Sequence, residues 1–385
     1  MRIIIGSMIS QPPYRPGIAW DWMQLAVGFQ RLGHDVYYLE QVEPEWCVDS
    51  HGKQCRFEDS LNQRLFQLTM QRFGFMERAC QVYGGGEATF GMSLQALAAV
   101  CRQTDLLLNI SGHVKLPLVL GSVQCRVYMD QDPVYTQLWR AEYGKELNFK
   151  AHDVFLTVGL NIGTSHSPIP AGGVEWQHML PPVVLDYWPT PAPAFNGRFT
   201  TIAFWAGHSD LCYRGESYGS KAEEFKRFAA LPTKVNQQFE AALRRTDEEG
   251  VQLLRANGWI VIDSKQIAHL SAYQGYIAQS RAEIGIAKSA YVKACSGWFS
   301  DRTCHYLASG RPALAQSTGF ERHLPTGRGL LKFASMEEAV EGVERINSDY
   351  KDHCRAAREI AEEYLDYRKV LPKMLEDCCT AVRRA

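Results

Sequence analysis

Arg2-Ile3-Ile4-Ile5-Gly6 and, further on, His34-Asp35-Val36-Tyr37-Tyr38-Leu39 are the two runs whose reading decides the fold. The first is short, β-branched and closed by glycine, as a strand buried in a parallel sheet should be. A loop holding Pro12, Pro13, Pro16 and Gly17 follows, and then a helix from about Trp20 to Leu32 that ends at Gly33. The second run is the next strand. Together they form one β-loop-α-β unit, the start of a doubly wound α/β sheet.

The pattern continues downstream. Leu106–Ile110, Cys125–Met129 and Val154–Val158 read as strands. Polar or glycine-rich sequence follows each: Ser111-Gly112-His113, Asp130-Gln131-Asp132-Pro133, and Gly159 with Asn161-Ile162-Gly163-Thr164. Loops at the carboxyl ends of such strands form the ligand crevice. The polar stretch 55–103 reads as largely helical. Prolines at 181, 182, 189, 191 and 193 mark a linker or a crossing between domains. Strands then resume over Thr200–Trp205, Trp259–Asp263, Ala282–Ala287 and Pro312–Ala315. A mainly helical run spans Lys221–Gly250, a helix spans Asp301–Ser309 before Gly310, and helices fill the chain from Met336. The expected fold is α/β, with two Rossmann-like domains, 1–190 and 191–365, facing across a cleft.

A chain of 385 residues suits two domains at roughly 150 residues each. With 46% hydrophobic and 22% charged residues, wholesale disorder is ruled out. Lys plus Arg total 41 against 42 Asp plus Glu, a net charge of -1, which argues against a dedicated nucleic-acid or acidic-membrane binder. The 11 cysteines form no C-x-x-C pair, which disfavours zinc ribbons and thioredoxin-like sites. Scattered thiols fit a reducing cytoplasm. The apolar start is too short for a signal peptide, and no apolar run is long enough to span a bilayer.

The chemistry concentrates in Ala294-Cys295-Ser296-Gly297-Trp298-Phe299-Ser300-Asp301-Arg302-Thr303. Ser300 or Asp301 can cap a helix whose free N–H groups attract an anion. Gly297 permits close backbone approach, Ser300 offers a hydroxyl, and Arg302 offers a planar fork for phosphate. The arrangement suits a diphosphate without a metal ion. An ordinary capped helix with a surface arginine is the competing reading.

This stretch, with Tyr306-Leu307-Ala308-Ser309-Gly310-Arg311-Pro312 and Gln316-Ser317-Thr318-Gly319-Phe320, resembles the donor domain of GT-B glycosyltransferases, in particular bacterial proteins labelled glycosyltransferase family 1. Ser280–Lys288, Leu324–Gly327 and Gly329–Leu331 belong to the same signature. Leu32–Val36, Tyr128–Pro133 and Pro181–Val183 extend it into the first half. The resemblance implies a nucleotide-diphosphate-sugar donor on the second domain, a hydroxyl acceptor on the first, no other cofactor, and a last helix, 366–385, crossing back to the first domain. Gly297-Trp298-Phe299-Ser300 is also similar to the Gly-Trp-Asn-Ser core of plant-type enzymes. Cys295 stands where that motif has a phosphate-binding His, and Thr303 where it has a ribose-binding Glu, leaving Asp301 as the nearest substitute. The spaced Glu pair of many retaining enzymes is absent around 295–325, which points to inversion.

Inverting transfer needs a base for the acceptor hydroxyl and positive charge for the departing diphosphate. His113, Asp132 and Asp21 compete for the first role; Asp21 can also be a helix cap. Arg302 and Lys288 are candidates for the second. Arg214, Gly219, Ser220 and Lys221 make a cationic loop that either closes over phosphates or is an exposed turn. Trp259, Gln266 and Ile267 border the strand expected to hold the nucleobase, with core packing an alternative for Trp259. Trp20, Trp22 and Trp176 line an acceptor pocket or the core. The acceptor is open among a small molecule, a glycan and a modified nucleobase, so nucleic acid enters only as acceptor. Competing functions are a GT-B-fold epimerase or hydrolase and a non-catalytic nucleotide-sugar-binding protein. No G-x-G-x-x-G follows the first strand, which disfavours a dinucleotide dehydrogenase.

Overall fold

A computed structural model describes residues 1–207 and 209–384. The first lobe holds β1 (Arg2–Ser7), β2 (Asp35–Val42), β3 (Ala79–Tyr83), β4 (Ala88–Gly91), β5 (Leu106–Ile110), β6 (Cys125–Asp130), β7 (Val154–Thr157) and β8 (Trp176–His178). They form one sheet in the order β4-β3-β2-β1-β5-β6-β7-β8, parallel except for the β3–β4 pair. The second lobe holds β9 (Phe199–Phe204), a small hairpin of β10 (Leu211–Tyr213) and β11 (Glu216–Tyr218), then β12 (Phe239–Arg244), β13 (Trp259–Asp263), β14 (Ala282–Gly285), β15 (Ala313–Gln316) and β16 (Leu330–Phe333). Its main sheet runs β13-β12-β9-β14-β15-β16, all parallel.

The first helix spans Pro16–Arg31, four residues earlier than the sequence suggests. Pro16 sits in its first turn, where the missing N–H costs nothing and the fixed φ favours the helix. Asp21 is therefore inside the helix and is not its cap. Strands β3, β4 and β12 replace expected helix. Their polar residues hide the strand pattern, yet those residues are buried and bonded. Gln81 donates to Ser10 Oγ at 3.0 Å and to Glu40 at 3.2 Å. Glu240 pairs with Arg198 at 2.5 Å.

The lobes share a core at the base of the cleft. Trp20 is fully buried and donates to Leu270 O at 3.0 Å, across the lobes. Trp22 and Trp176 are also core residues, so none of these three indoles is left to line an acceptor pocket. The last helix, Tyr367–Arg384, returns to the first lobe and packs on the first helix. The fit is close: a Cβ on Gly28 would lie 2.6 Å from Leu371 Cδ1.

One polar network crosses this core. Gln24 Oε1 accepts from Val184 N and Trp188 Nε1, both at 2.9 Å. Its amide nitrogen must therefore face His305 Nε2, 2.8 Å away, and donate to it. His305 is thus neutral, with Nδ1–H directed at Tyr273 Oη at 3.1 Å, and its ring stacks on Trp188 at 4.3 Å. Burial, then Arg302, lowers its pKa to about 3. Below about pH 6.5 the unfolded chain takes up a proton there that the folded chain refuses until about pH 3, so this histidine makes stability fall with acid in that window. His305→Gln cannot take the proton. Denaturant titrations from pH 7 to pH 4 should show a shallower loss of stability in the variant, by up to about 1.4 kcal/mol per pH unit. Parallel curves would show that this site does not couple to folding.

Candidate functional site

In the second-lobe sheet the strand order reverses between β9 and β14, the place where open α/β sheets bind ligands. A cavity of about 150 Å³ opens there. The end of β9 (Ile202, Ala203, Phe204), Gly207, Ser220, Lys221, Lys288, Trp298, Ser300, Asp301 and Arg302 line it. That is below the roughly 300–1,000 Å³ of pockets that enclose a whole drug-sized ligand, and suits a diphosphate better than a complete nucleotide sugar.

Three cations meet at this cavity, and two are already matched. Arg302 is buried, donates to Glu283 Oε1 at 2.6 Å and to Ile202 O at 2.6 Å. Lys288 donates to Asp132 Oδ1 at 2.5 Å and to Tyr291 Oη at 2.9 Å. Lys221 is different. It is 8% exposed, and no hydrogen bond or ion pair reaches its ammonium among the described residues. The Trp298 ring lies 5.6 Å from its Nζ. Burial, then Arg302 and Lys288, push its pKa well below the lysine value. An unpaired buried ammonium beside two other cations is costly unless a ligand neutralises it.

The helix Asp301–Ala308 brings its N-terminus to the same cavity, with Ser300 at the cap position and no side-chain cap bond from it. Asp301 faces Asp21 of the first helix electrostatically. Burial raises both carboxyl pKa values, and the Asp301 charge adds to the rise at Asp21.

The turn before this helix differs from the sequence expectation. Gly297 does not approach a ligand. Its N–H donates to Thr318 O at 2.7 Å, its φ is +73°, and a Cβ there would lie 2.7 Å from Asn161 N. It packs against the other lobe. Gly159 and Trp298 form an antiparallel bridge, Asn161 N donates to Ser296 O at 3.0 Å, and Asn161 Nδ2 donates to Cys295 O at 2.8 Å. Phe299 is buried against Phe320, with ring centroids 5.1 Å apart, so its side chain belongs to the core. Trp298, Ser300, Asp301, Arg302 and Lys288 do come together at the cavity, joined by Ser220 and Lys221 from the expected cationic loop.

Several expected residues lie elsewhere. Arg214 is exposed in the β10–β11 turn, and Gly219 is crowded by Glu223 and Asp210 carboxylates. The nucleobase trio is also off the cavity. Trp259 is core and donates to Ala229 O at 2.8 Å, Gln266 is exposed, and Ile267 is buried in a short 3-10 turn. The reason is position: β13 is an edge strand, two places away from β9. Phe204, Gly207, Tyr291 and Asn161 were missed. Only the break after Trp205 could have pointed to the first two.

Of the base candidates, Asp132 is taken up by Lys288 and by Tyr291, whose hydroxyl donates at 2.8 Å. It clamps the lobes. His113 follows β5 at the first sheet's own reversal point, between β1 and β5. It makes no side-chain hydrogen bond among the described residues. Burial, with Lys115 and Arg15, lowers its pKa to about 4, so it is neutral at pH 7 and able to accept a proton.

The fold is GT-B. HepE of Anabaena, solved with UDP and glucose, superposes with a TM-score of 0.58 at 11% identity, covering 99% of this chain and 100% of that one. An alpha-glucosyltransferase, solved with UDP and a 13-mer DNA, gives 0.60 at 12% identity over 98% and 100%. Sucrose-phosphate synthase of Thermosynechococcus elongatus gives 0.51 at 10% identity over the full length of both chains. No family model and no curated protein matches the chain. No group of three or more His, Cys, Asp or Glu among the described residues is placed to hold a metal ion. No helix among them is long and apolar enough to cross a membrane.

The cations should separate by mutation. Lys221→Met removes an unpaired charge, so the free protein should melt higher, by about 1 °C for each kcal/mol gained in a chain of this length. Affinity for UDP should drop at least tenfold, about 1.4 kcal/mol. Arg302→Met strands Glu283 in the core and should cost about 3–5 kcal/mol of folding stability. Calorimetry and thermal melts check both. A destabilised Lys221→Met that still binds UDP normally would contradict the assignment.

Proposed function

We propose that this protein transfers a sugar from a nucleotide-diphosphate sugar to a hydroxyl acceptor. The observation that carries the reading is Lys221, buried at the switch point of the second sheet with no ion-pair partner among the described residues. The UDP complexes of the fold neighbours favour UDP as the nucleotide. The sequence signature over residues 280–331 favours the family 1 label. Eleven free thiols suit a cytoplasmic setting.

In this reading the diphosphate occupies the cavity. Lys221 and the helix N-terminus at Ser300 take its charge, and Arg302 adds to the positive field while remaining paired to Glu283. The acceptor hydroxyl comes from the first lobe, and His113 takes its proton. The acceptor oxygen bonds to the sugar's anomeric carbon as the bond from that carbon to the phosphate oxygen breaks, and the nucleoside diphosphate leaves with the electron pair. Lys221, Arg302 and the helix N-terminus at the leaving group supply positive charge of the kind a divalent metal supplies in other transferases. A single displacement inverts the anomeric carbon.

A thermal-shift panel of nucleoside diphosphates and their sugars should give the largest rise with a uridine nucleotide. With that donor and an acceptor it turns over, His113→Ala should lose 100-fold or more in kcat while binding UDP as before. The acid limb of kcat/KM should fall near pH 4, where His113 takes its own proton. Proton NMR should show the inverted anomer. A retained anomer, or a His113→Ala enzyme of near-normal rate, would remove the single-displacement mechanism.

A further inference from the structure

A second group of cations lies outside the cavity just described. Arg15, in the loop after β1, and Arg244 and Arg245, at the end of β12, all surround the Phe204 ring. Their guanidinium carbons lie 5.0, 5.9 and 5.7 Å from its centroid. None of the three lines the donor cavity, although Phe204 does. No carboxylate pairs with any of them among the described residues. Arg15 Nε is buried without a hydrogen-bond partner. Arg244 is held across the lobes by Tyr14 O at 2.8 Å and Pro13 O at 3.3 Å. Arg245 adopts φ +55°, a strained conformation for a residue with a side chain, of the kind that clusters at ligand sites.

Burial, with Arg245 and Arg244 close by, lowers the pKa of Arg15 to about 10. Asp132, already bonded to Lys288 and Tyr291, offsets this only in part. Guanidinium forks match phosphate oxygens in pairs, through two parallel hydrogen bonds that a point-charge ammonium cannot make. The cluster also sits where an acceptor would. Arg15 leaves the first sheet at the β1–β5 reversal, the same point that places His113, and the two groups sense each other's charge.

We propose that Arg15, Arg244 and Arg245 form a phosphate subsite for the acceptor, so that the acceptor is a small phosphorylated sugar or polyol. This rests on the donor reading of the Lys221 cavity. The interlobe position favours a small molecule, since Arg15 is part-buried and Arg244 is tied to the first lobe. A duplex backbone would have to enter the cleft to reach them.

The test is a melting-temperature and calorimetric panel of hexose 1- and 6-phosphates against their parent hexoses, with and without saturating UDP. At least one phosphate should bind the UDP complex ten times more tightly than its parent hexose. Arg15→Gln and Arg245→Ala should each erase that advantage while leaving the shift from UDP itself intact. Arg245 is exposed, so its variant carries little folding risk. Phosphates that behave like their parent hexoses would overturn the proposal. So would loss of the UDP shift in these variants, which would assign the arginines to the donor. Binding of a 13-mer DNA that depends on Arg245, with no response to any hexose phosphate, would also overturn it in favour of a nucleic-acid acceptor. If UDP gives no shift but a hexose phosphate binds in an Arg15-dependent way, the subsite stands and the donor reading falls.

Discussion

A lysine ammonium with no counter-ion, shut inside a protein, has to be explained by something that is not protein. Lys221 poses that demand: among the described residues no carboxylate pairs with it. Two neighbouring cations could have shared a carboxylate with it. Glu283 goes to Arg302 and Asp132 to Lys288, both at hydrogen-bond distance. Asp301, the remaining acid at the cavity, is itself pushed toward its neutral form by burial. The charge is left for a ligand to satisfy, and a diphosphate at a helix N-terminus does so with the geometry that such termini favour.

The two paired cations do a different job. Lys288 and Tyr291 of the second lobe both bind Asp132 of the first, and the turn at 295–298 docks on the loop at 159–162 through backbone bonds. The cavity and the lobe contact share one segment, 295–302. Gly297 fixes the contact, and Trp298, Ser300, Asp301 and Arg302 face the cavity. A ligand that pulls on the helix N-terminus therefore acts directly on the contact that holds the lobes together. Behind them, the neutral His305 and the shared aromatic core make the base of the cleft a single packed body.

Much of this was legible in the order of the residues. The Ile3–Ile5 strand, the helix ended by Gly33 and the repeated strand-then-polar-loop pattern announce parallel sheets, because strands covered on both faces carry little else. The segment 298–302 announces a helix N-terminus near a ligand through its cap residues. What was hidden had a physical cause each time. Strands β3 and β12 carry buried Gln81 and Glu240, whose partners come from distant segments. Gly297 looked like a phosphate glycine, and only the other lobe shows what it touches. Trp259 looked like a base-stacking residue because nothing local records that β13 is an edge strand. Lys221 was visible as a cation after a strand, but its lack of a partner is a property of the folded chain alone.

The most direct measurement is a crystal structure of the protein with UDP. The account predicts the diphosphate in the cavity between Phe204, Lys221 and Ser300, with the Lys221 ammonium within about 3 Å of a phosphate oxygen. UDP bound elsewhere on the molecule, or a Lys221 side chain turned away to a carboxylate of the protein, would contradict it.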